Sequence, residues 1–360
     1  MFELIILIIV LGVLIFVHEF GHFIVAKRSG MKVEEFGFGF PPRIWGIKRG
    51  ETIYSINWIP LGGFVRILGE DGKDKDNPRS FSHATPGPRA KVVVAGVIMN
   101  ILLAIVLLSI LNMTGSRIQI TDDNASRARD IEVNIVGIAP DSPAEDAGFI
   151  VGDVIAGLSI ADEMITVDEL EDVQIFVEDH KGEEIIMSLL RNSESIDVPV
   201  VPRLDPPEGE GALGIGMITS GLVTYPVHIA IWRSVQDTGT FLWRITTGFG
   251  AIVRDLATGG DAIKQIAGPV GIAVISGNAA RAGFSNLIFF TAIISLNLTI
   301  LNILPIPPLD GGKLLFIILE KLRKGKPVAQ KIEMAVSSVG FLLLIALVVY
   351  ATINDIGRFF

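Results

Sequence analysis

Three side chains carry the strongest chemical signal in this chain: His18, Glu19 and His22, in the string Val17-His18-Glu19-Phe20-Gly21-His22. Two histidines four apart share one face of a helix. That spacing suits a pair of zinc ligands, with the glutamate beside them placed to take a proton from an activated water. The chain has no cysteine and five histidines. Disulfides and thiolate zinc sites are therefore excluded, and any metal must be held by His, Asp or Glu. A catalytic zinc usually has three protein ligands, of which this string supplies two.

The setting of the string is apolar. From Leu4 to Ala26 nearly every other residue is Ile, Leu, Val, Phe or Gly, a run long enough to cross a bilayer. It has neither a basic segment before it nor a small-residue cleavage site, so it reads as a retained helix over about residues 3–27. Half of the 360 residues are hydrophobic and the mean hydropathy is +0.55, the balance of a membrane protein with a soluble insert. Three further spans follow, at Val92–Met113, Leu287–Leu304 and Val336–Ile353. The second carries Gly96 and Asn100, a small and a polar residue of the kind that faces other helices.

Charge sets the orientation. Residues 115–211 hold 6 basic and 23 acidic side chains, whereas the remainder holds 24 and 16, so an acidic insert is set into a basic frame. Nucleic-acid binding has no support in that pattern. Lys27 and Arg28 after the first span, and Lys321, Arg323, Lys324, Lys326 and Lys331 before the fourth, place those ends in the cytoplasm. Both termini and the insert then lie outside, and the histidine pair sits near the cytoplasmic face.

Between the first two spans, residues 33–69 change character. Gly37 and Gly39 alternate with phenylalanines, Tyr54-Ser55-Ile56-Asn57-Trp58 alternates apolar and polar, and Gly62-Gly63 follows. This predicts a β-hairpin, either cytoplasmic or buried in protein at membrane depth, because unpaired backbone is costly in lipid. Residues 70–91 read as a polar loop. Tyr225–Leu256 is studded with Arg233, Asp237, Arg244 and Arg254, with apolar residues at helical spacing, and fits an interfacial amphipathic helix.

Within the insert, Val133–Val136 reads as a strand, and Ser142-Pro143-Ala144-Glu145-Asp146-Ala147-Gly148 as a short capped helix. Gly152-Asp153-Val154-Ile155 is a turn into a second strand. Residues 167–180 are helix-like, and Glu184–Leu190 and Ser195–Val201 alternate as strands about a turn at Asn192. The run resembles a PDZ domain, most closely the circularly permuted bacterial form. Gly211–Gly216 is then either its displaced carboxylate-binding loop or a glycine linker.

The third span breaks at Pro305-Ile306-Pro307-Pro308-Leu309-Asp310-Gly311-Gly312. Asp310 is the one acidic residue embedded in such a break, at the same depth as His18 and His22, and ionisable groups there are usually functional. His83 lies in a polar loop and His180 and His228 belong to the external portion, so topology selects Asp310 as third ligand. Together the His-Glu-x-x-His string in the first span, a PDZ-like insert and Asn302-x-x-Pro305-x-Pro307-x-Leu309-Asp310-Gly311 resemble the site-2 protease family of intramembrane zinc metalloproteases. The bacterial sigma-E-regulator protease type is the nearest, and the resemblance covers essentially the whole chain.

The resemblance implies one zinc per chain held by His18, His22 and Asp310, with Glu19 as general base. Asn297 and Asn302 match asparagines that hold the substrate strand. The 33–69 stretch matches a membrane-reentrant hairpin that pairs with unwound substrate, which adds Gly37, Gly39, Gly62 and Gly63 as candidate substrate contacts, with Pro305 of the third-span motif as a further one. The larger members carry two PDZ domains in tandem, and this chain has room for one.

The fold class expected is a polytopic α-helical membrane protein with four spans, a reentrant β-hairpin and an extracytoplasmic PDZ-like α+β insert. Its parts are residues 1–113, 115–220 (PDZ-like), 221–285 (amphipathic) and 286–360. The expected activity is endoproteolysis of transmembrane segments in the cell membrane. Its partners are the bilayer and pre-cleaved membrane proteins such as anti-sigma factors or remnant signal peptides. The competing class is a non-catalytic membrane adaptor that binds protein tails through the PDZ-like part.

Overall fold

The computed structural model describes residues 2–121, 124–161, 163–191, 194–207, 209–260 and 267–359. In chain order these form α1 (Phe2–Arg28), β1 (Val33–Arg49), β2 (Thr52–Ile67) and α2 (Pro86–Thr114). Then come β3 (Ser116–Gln119), β4 (Ala128–Ile138), α3 (Pro143–Asp146), β5 (Val154–Ile160), β6 (Glu163–Thr166) and α4 (Leu170–Asp179). Strands β7 (Ile185–Arg191), β8 (Glu194–Val200) and β9 (Ile215–Val223) complete that stretch. The chain ends in α5 (Val227–Ala257), α6 (Pro269–Arg281), α7 (Phe284–Ile303), α8 (Asp310–Leu322) and α9 (Gln330–Phe359). Two compact units result, one from 1–111 with 227–360 and the other from 112–226.

Four helices of the first unit, α1, α2, α7 and α9, are long and apolar enough to cross a membrane. The protein is therefore polytopic. Helix α1 has no proline and carries Glu3 in its first turn and Lys27 and Arg28 in its last, which complements the helix dipole. Its two faces do different work. Phe16, Phe20 and Phe23 form a stripe that stacks on the β1–β2 ribbon, with Phe36 centroids 5.2 Å from Phe16 and 4.8 Å from Phe23. His18 and His22 lie on the other side, since each residue turns the helix by about 100°.

The ribbon is more folded than a simple hairpin. Phe36, Gly37 and Phe38 pair with Tyr54, Ser55 and Ile56 on one edge and with Val65, Phe64 and Gly63 on the other. The segment 33–38 is thus a central strand, and Gly63–Ile67 is left as an edge.

The second unit is a seven-stranded antiparallel sheet in the order β3-β9-β4-β5-β7-β8, with β6 paired to β5. Val133, Ile135, Ile155, Leu158, Met187 and Leu189 are each at most 1% exposed and pack under Val173, Phe176 and Val177 of α4. Helix α3 starts at Ser142, whose hydroxyl accepts the Glu145 N–H, with Pro143 behind it. Helix α4 begins later than the sequence predicts, because Asp172 accepts the N–H groups of Asp168 and Glu169 and fixes the start there. Strands β3, β6 and β9 are additions to the sequence reading. β9 carries Gly216 and Gly221, which disguise it as linker. The turn predicted at Asn192 lies outside the described residues.

Candidate metal centre

His18, His22 and Asp310 form the one cluster of three or more potential metal-ligating residues among the described residues. His18 Nε2 lies 2.9 Å from Asp310 Oδ2, His22 Nε2 lies 3.0 Å from the same oxygen, and the two imidazole nitrogens are 3.1 Å apart. Helix α1 supplies the histidines. Asp310 opens α8, where the positive end of the helix dipole favours its charge. Gly311 and Gly312 let α8 start so close to the end of α7. A Cβ on Gly311 would collide with the Ile303 and Leu304 carbonyl oxygens, and one on Gly312 would stand 2.6 Å from the Pro307 nitrogen.

Helix α2 closes the other side. A Cβ at Gly96 would lie 2.6 Å from both His22 Nε2 and His18 Cε1, so only glycine admits this approach. One turn on, the buried Asn100 places Nδ2 3.4 Å from His18 Nδ1 while its buried Oδ1 has no partner among the described residues. Turning that amide over lets Oδ1 accept the His18 Nδ1–H and satisfies both groups. His22 Nδ1 donates to the Val92 carbonyl at 2.7 Å. Both imidazoles then carry their proton on Nδ1, and their Nε2 lone pairs converge on Asp310 Oδ2 with no proton to share. In that tautomer three lone-pair atoms lie within 3.1 Å of one another, a donor set whose mutual repulsion a bound cation would relieve. The triangle is small enough for one zinc, at its usual ligand distance of about 2.0–2.2 Å, to reach all three.

Glu19 lies beside the cluster, and its Oε2 accepts the Val65 N–H of β2 at 3.1 Å. Because Val65 spends its N–H on Glu19, the Gly63–Ile67 edge faces the cluster. A cavity of about 220 Å³ opens there, lined by Glu19, His22 and Asp310 and by Gly63, Phe64 and Val65. It also holds Lys313, one turn after Asp310, whose Nζ donates to Glu70 Oε1 at 2.6 Å.

Of the residues expected to contact substrate, Gly63 alone lines this cavity. Gly62 backs onto Ile15 of α1, and Gly37 and Gly39 lie within the ribbon, where a Cβ would meet Ser55 or the Ile59 carbonyl. Asn297 gives its amide to the Ile293 carbonyl of its own helix at 2.9 Å, Asn302 is half-buried, and Pro305 is exposed. Lys313 and Glu70 escaped the sequence reading. Their only signal was a lysine three residues past Asp310, on the same helical face.

The model of peptidase family M50 matches residues 6–347. The chain belongs to peptidase family M50. Among its M50 relatives, a provisionally named zinc metalloprotease of Clostridium acetobutylicum is 35% identical over 99% of this chain and 97% of its own. Zinc metalloprotease RasP of Oceanobacillus iheyensis is 32% identical over 98% of both chains. RasP of Geobacillus kaustophilus is 29% identical over 98% of this chain and 97% of its own. As an M50 member of the site-2 protease type, this protein is an intramembrane zinc metalloprotease that acts on membrane proteins in the bilayer.

Proposed function

We propose that His18, His22 and Asp310 hold the zinc of this M50 protease and that Glu19 is its general base. The observation that carries the assignment is the convergence of three lone-pair atoms within 3.1 Å, with a carboxylate beside them in the same cavity. When bound, zinc supplies Lewis acidity, which polarises a carbonyl and brings the ionisation of water into the neutral range. Glu19, fixed through Oε2 by the Val65 N–H, keeps its other oxygen free to accept a water proton and deliver it to the leaving amine.

A substrate helix hides its amides in its own ladder and must be unwound before attack. The Gly63–Ile67 edge offers replacement main-chain hydrogen bonds to an extended segment alongside the base, by strand addition. The same edge strand thus orients Glu19 and receives the peptide. Residues 33–67 act in this reading as a membrane-reentrant element, and Asn302 and Pro305 border the approach from the end of α7.

The 112–226 unit is read as the single PDZ-like domain, outside the cytoplasm. A groove of about 350 Å³ between α4 and the start of β9, lined by Val173, Val177, Ala212, Leu213 and Met217, supports peptide binding there. Pre-cleaved membrane proteins with new tails are the substrates this arrangement fits, with the active centre near the cytoplasmic face. An adaptor without catalysis would not require a carboxylate beside the cluster. Glu19→Gln, reconstituted with a model transmembrane substrate, should keep its zinc and lose at least about 100-fold in cleavage rate. Cleavage at the wild-type rate would remove Glu19 from the mechanism.

A further inference from the structure

Helices α1 and α2 touch backbone to backbone at Gly21, where a Cβ would stand 2.5 Å from the Ala95 carbonyl oxygen. Beside that contact the two helices line a groove of about 620 Å³. Its walls are Ile24, Val25, Val94, Ile98 and Met99, and its polar end is Arg28 and Lys91. Arg28 lies seven residues beyond Gly21, and Lys91 four before Ala95, about 10 Å and 6 Å along antiparallel helices, so the two cations share one end.

Neighbouring cations are occupied. Arg89 pairs with Glu320 at 2.7 Å, and Lys27 lies over the Phe23 ring. Arg28 and Lys91 are exposed, and among the described residues neither has an acidic partner. The groove lies on the opposite face of the helix pair from the catalytic cavity: Val92 and Val93 line the cavity, whereas Lys91, Val94 and Ala95 line the groove. A substrate in the groove would have the α1–α2 seam between itself and Glu19.

Two unpaired cations at the end of an apolar channel, on helices that cross a bilayer, match the two halves of an anionic lipid. We propose that this groove binds one anionic phospholipid, with an acyl chain along Ile24, Val25, Val94 and Ile98 and the phosphate between Arg28 and Lys91. Cations at a membrane surface each favour anionic headgroups several-fold, so two amount to a preference of about ten- to thirtyfold over a zwitterionic lipid. The occupied groove fills the outer side of the seam whose inner side holds the imidazoles against Gly96.

The test is native mass spectrometry of the zinc-loaded full chain released from detergent. It is titrated with dioleoyl phosphatidylglycerol or dioleoyl phosphatidylcholine. The wild type should bind the anionic lipid about tenfold more tightly, Arg28→Gln with Lys91→Gln should reduce binding to the zwitterionic level, and Ile98→Trp should weaken both lipids. Equal affinity for the two lipids, or an undiminished preference in the double variant, overturns the proposal. So does displacement of the anionic lipid by equimolar inorganic phosphate, or by a model transmembrane substrate. If the glutamine pair loses zinc, Arg28→Lys with Lys91→Arg replaces it. That variant should keep the preference, and its loss would count against the site.

Discussion

At Gly96 the second helix passes so near the two imidazoles that a single methyl group would stand 2.6 Å from His22 Nε2. A Gly→Ala change inside a helix ordinarily gains stability, by about 0.5–1 kcal/mol. Here the close approach should reverse that sign. Gly96→Ala should lower stability in thermal unfolding by about 1–3 kcal/mol, because the new methyl group must push the buried imidazoles or α2 aside, while zinc affinity falls about 10–100-fold, the scale of losses around metal ligands. A competitive chelator titration reads the second quantity, and unchanged affinity would mean that α2 does not bear on the imidazoles. The sequence marked Gly96 and Asn100 as helix-facing from their small and polar character alone. It could not say which residues they face, because that depends on how α1 and α2 cross. The His18–His22 spacing, by contrast, is a property of one helix and was legible without any tertiary information.

The elements show where local pattern carries the fold and where it does not. Strands β7 and β8 alternate cleanly and were readable. β9 was not, because its glycines match a linker until it is seen paired between β3 and β4. The doubling of the β1–β2 ribbon was equally hidden, since it arises from long-range pairing of one segment with two others. The start of β5 is held by charge. Asp153 is fully buried, and Arg191 of β7 donates to both its oxygens at 2.8 and 2.7 Å. Burial pushes the Asp153 carboxyl up, but the Arg191 hydrogen bonds and the Ile150 N–H outweigh it, so the group titrates below its ordinary value of 3.8. A carboxyl lowered in the native state stabilises fully above its unfolded pKa and loses that contribution as pH falls through the native one. Arg191→Met should cost the 112–226 unit about 3 kcal/mol at neutral pH by leaving a buried carboxylate unpaired. Burial is then opposed only by the Ile150 N–H, so the carboxyl rises and the deficit should narrow as pH falls toward 4. Hydrogen exchange of that unit at pH 7 and pH 4 measures both, and a deficit independent of pH would exclude Asp153 as its cause.

For the whole molecule, the membrane frame was the easiest feature to read. Apolar length gave the four spans, and the acidic 115–211 stretch stood out against basic flanks by composition alone. The proposed orientation follows from the same charges. With no native cysteine to interfere, a Lys324→Cys variant should be labelled by a membrane-impermeant maleimide only from the cytoplasmic side. Labelling from outside would invert the topology. The proposed metal centre is where the scales meet, because two of its proposed ligands, His18 and Asp310, stand 292 positions apart in the chain. Sequence reasoning paired them by depth, and the fold brings them to 2.9 Å. The most direct test is the zinc-to-protein ratio of purified Asp310→Ala against wild type in the same lipid. The ligand assignment predicts one zinc per wild-type chain and almost none in the variant. Full occupancy of the variant would contradict it.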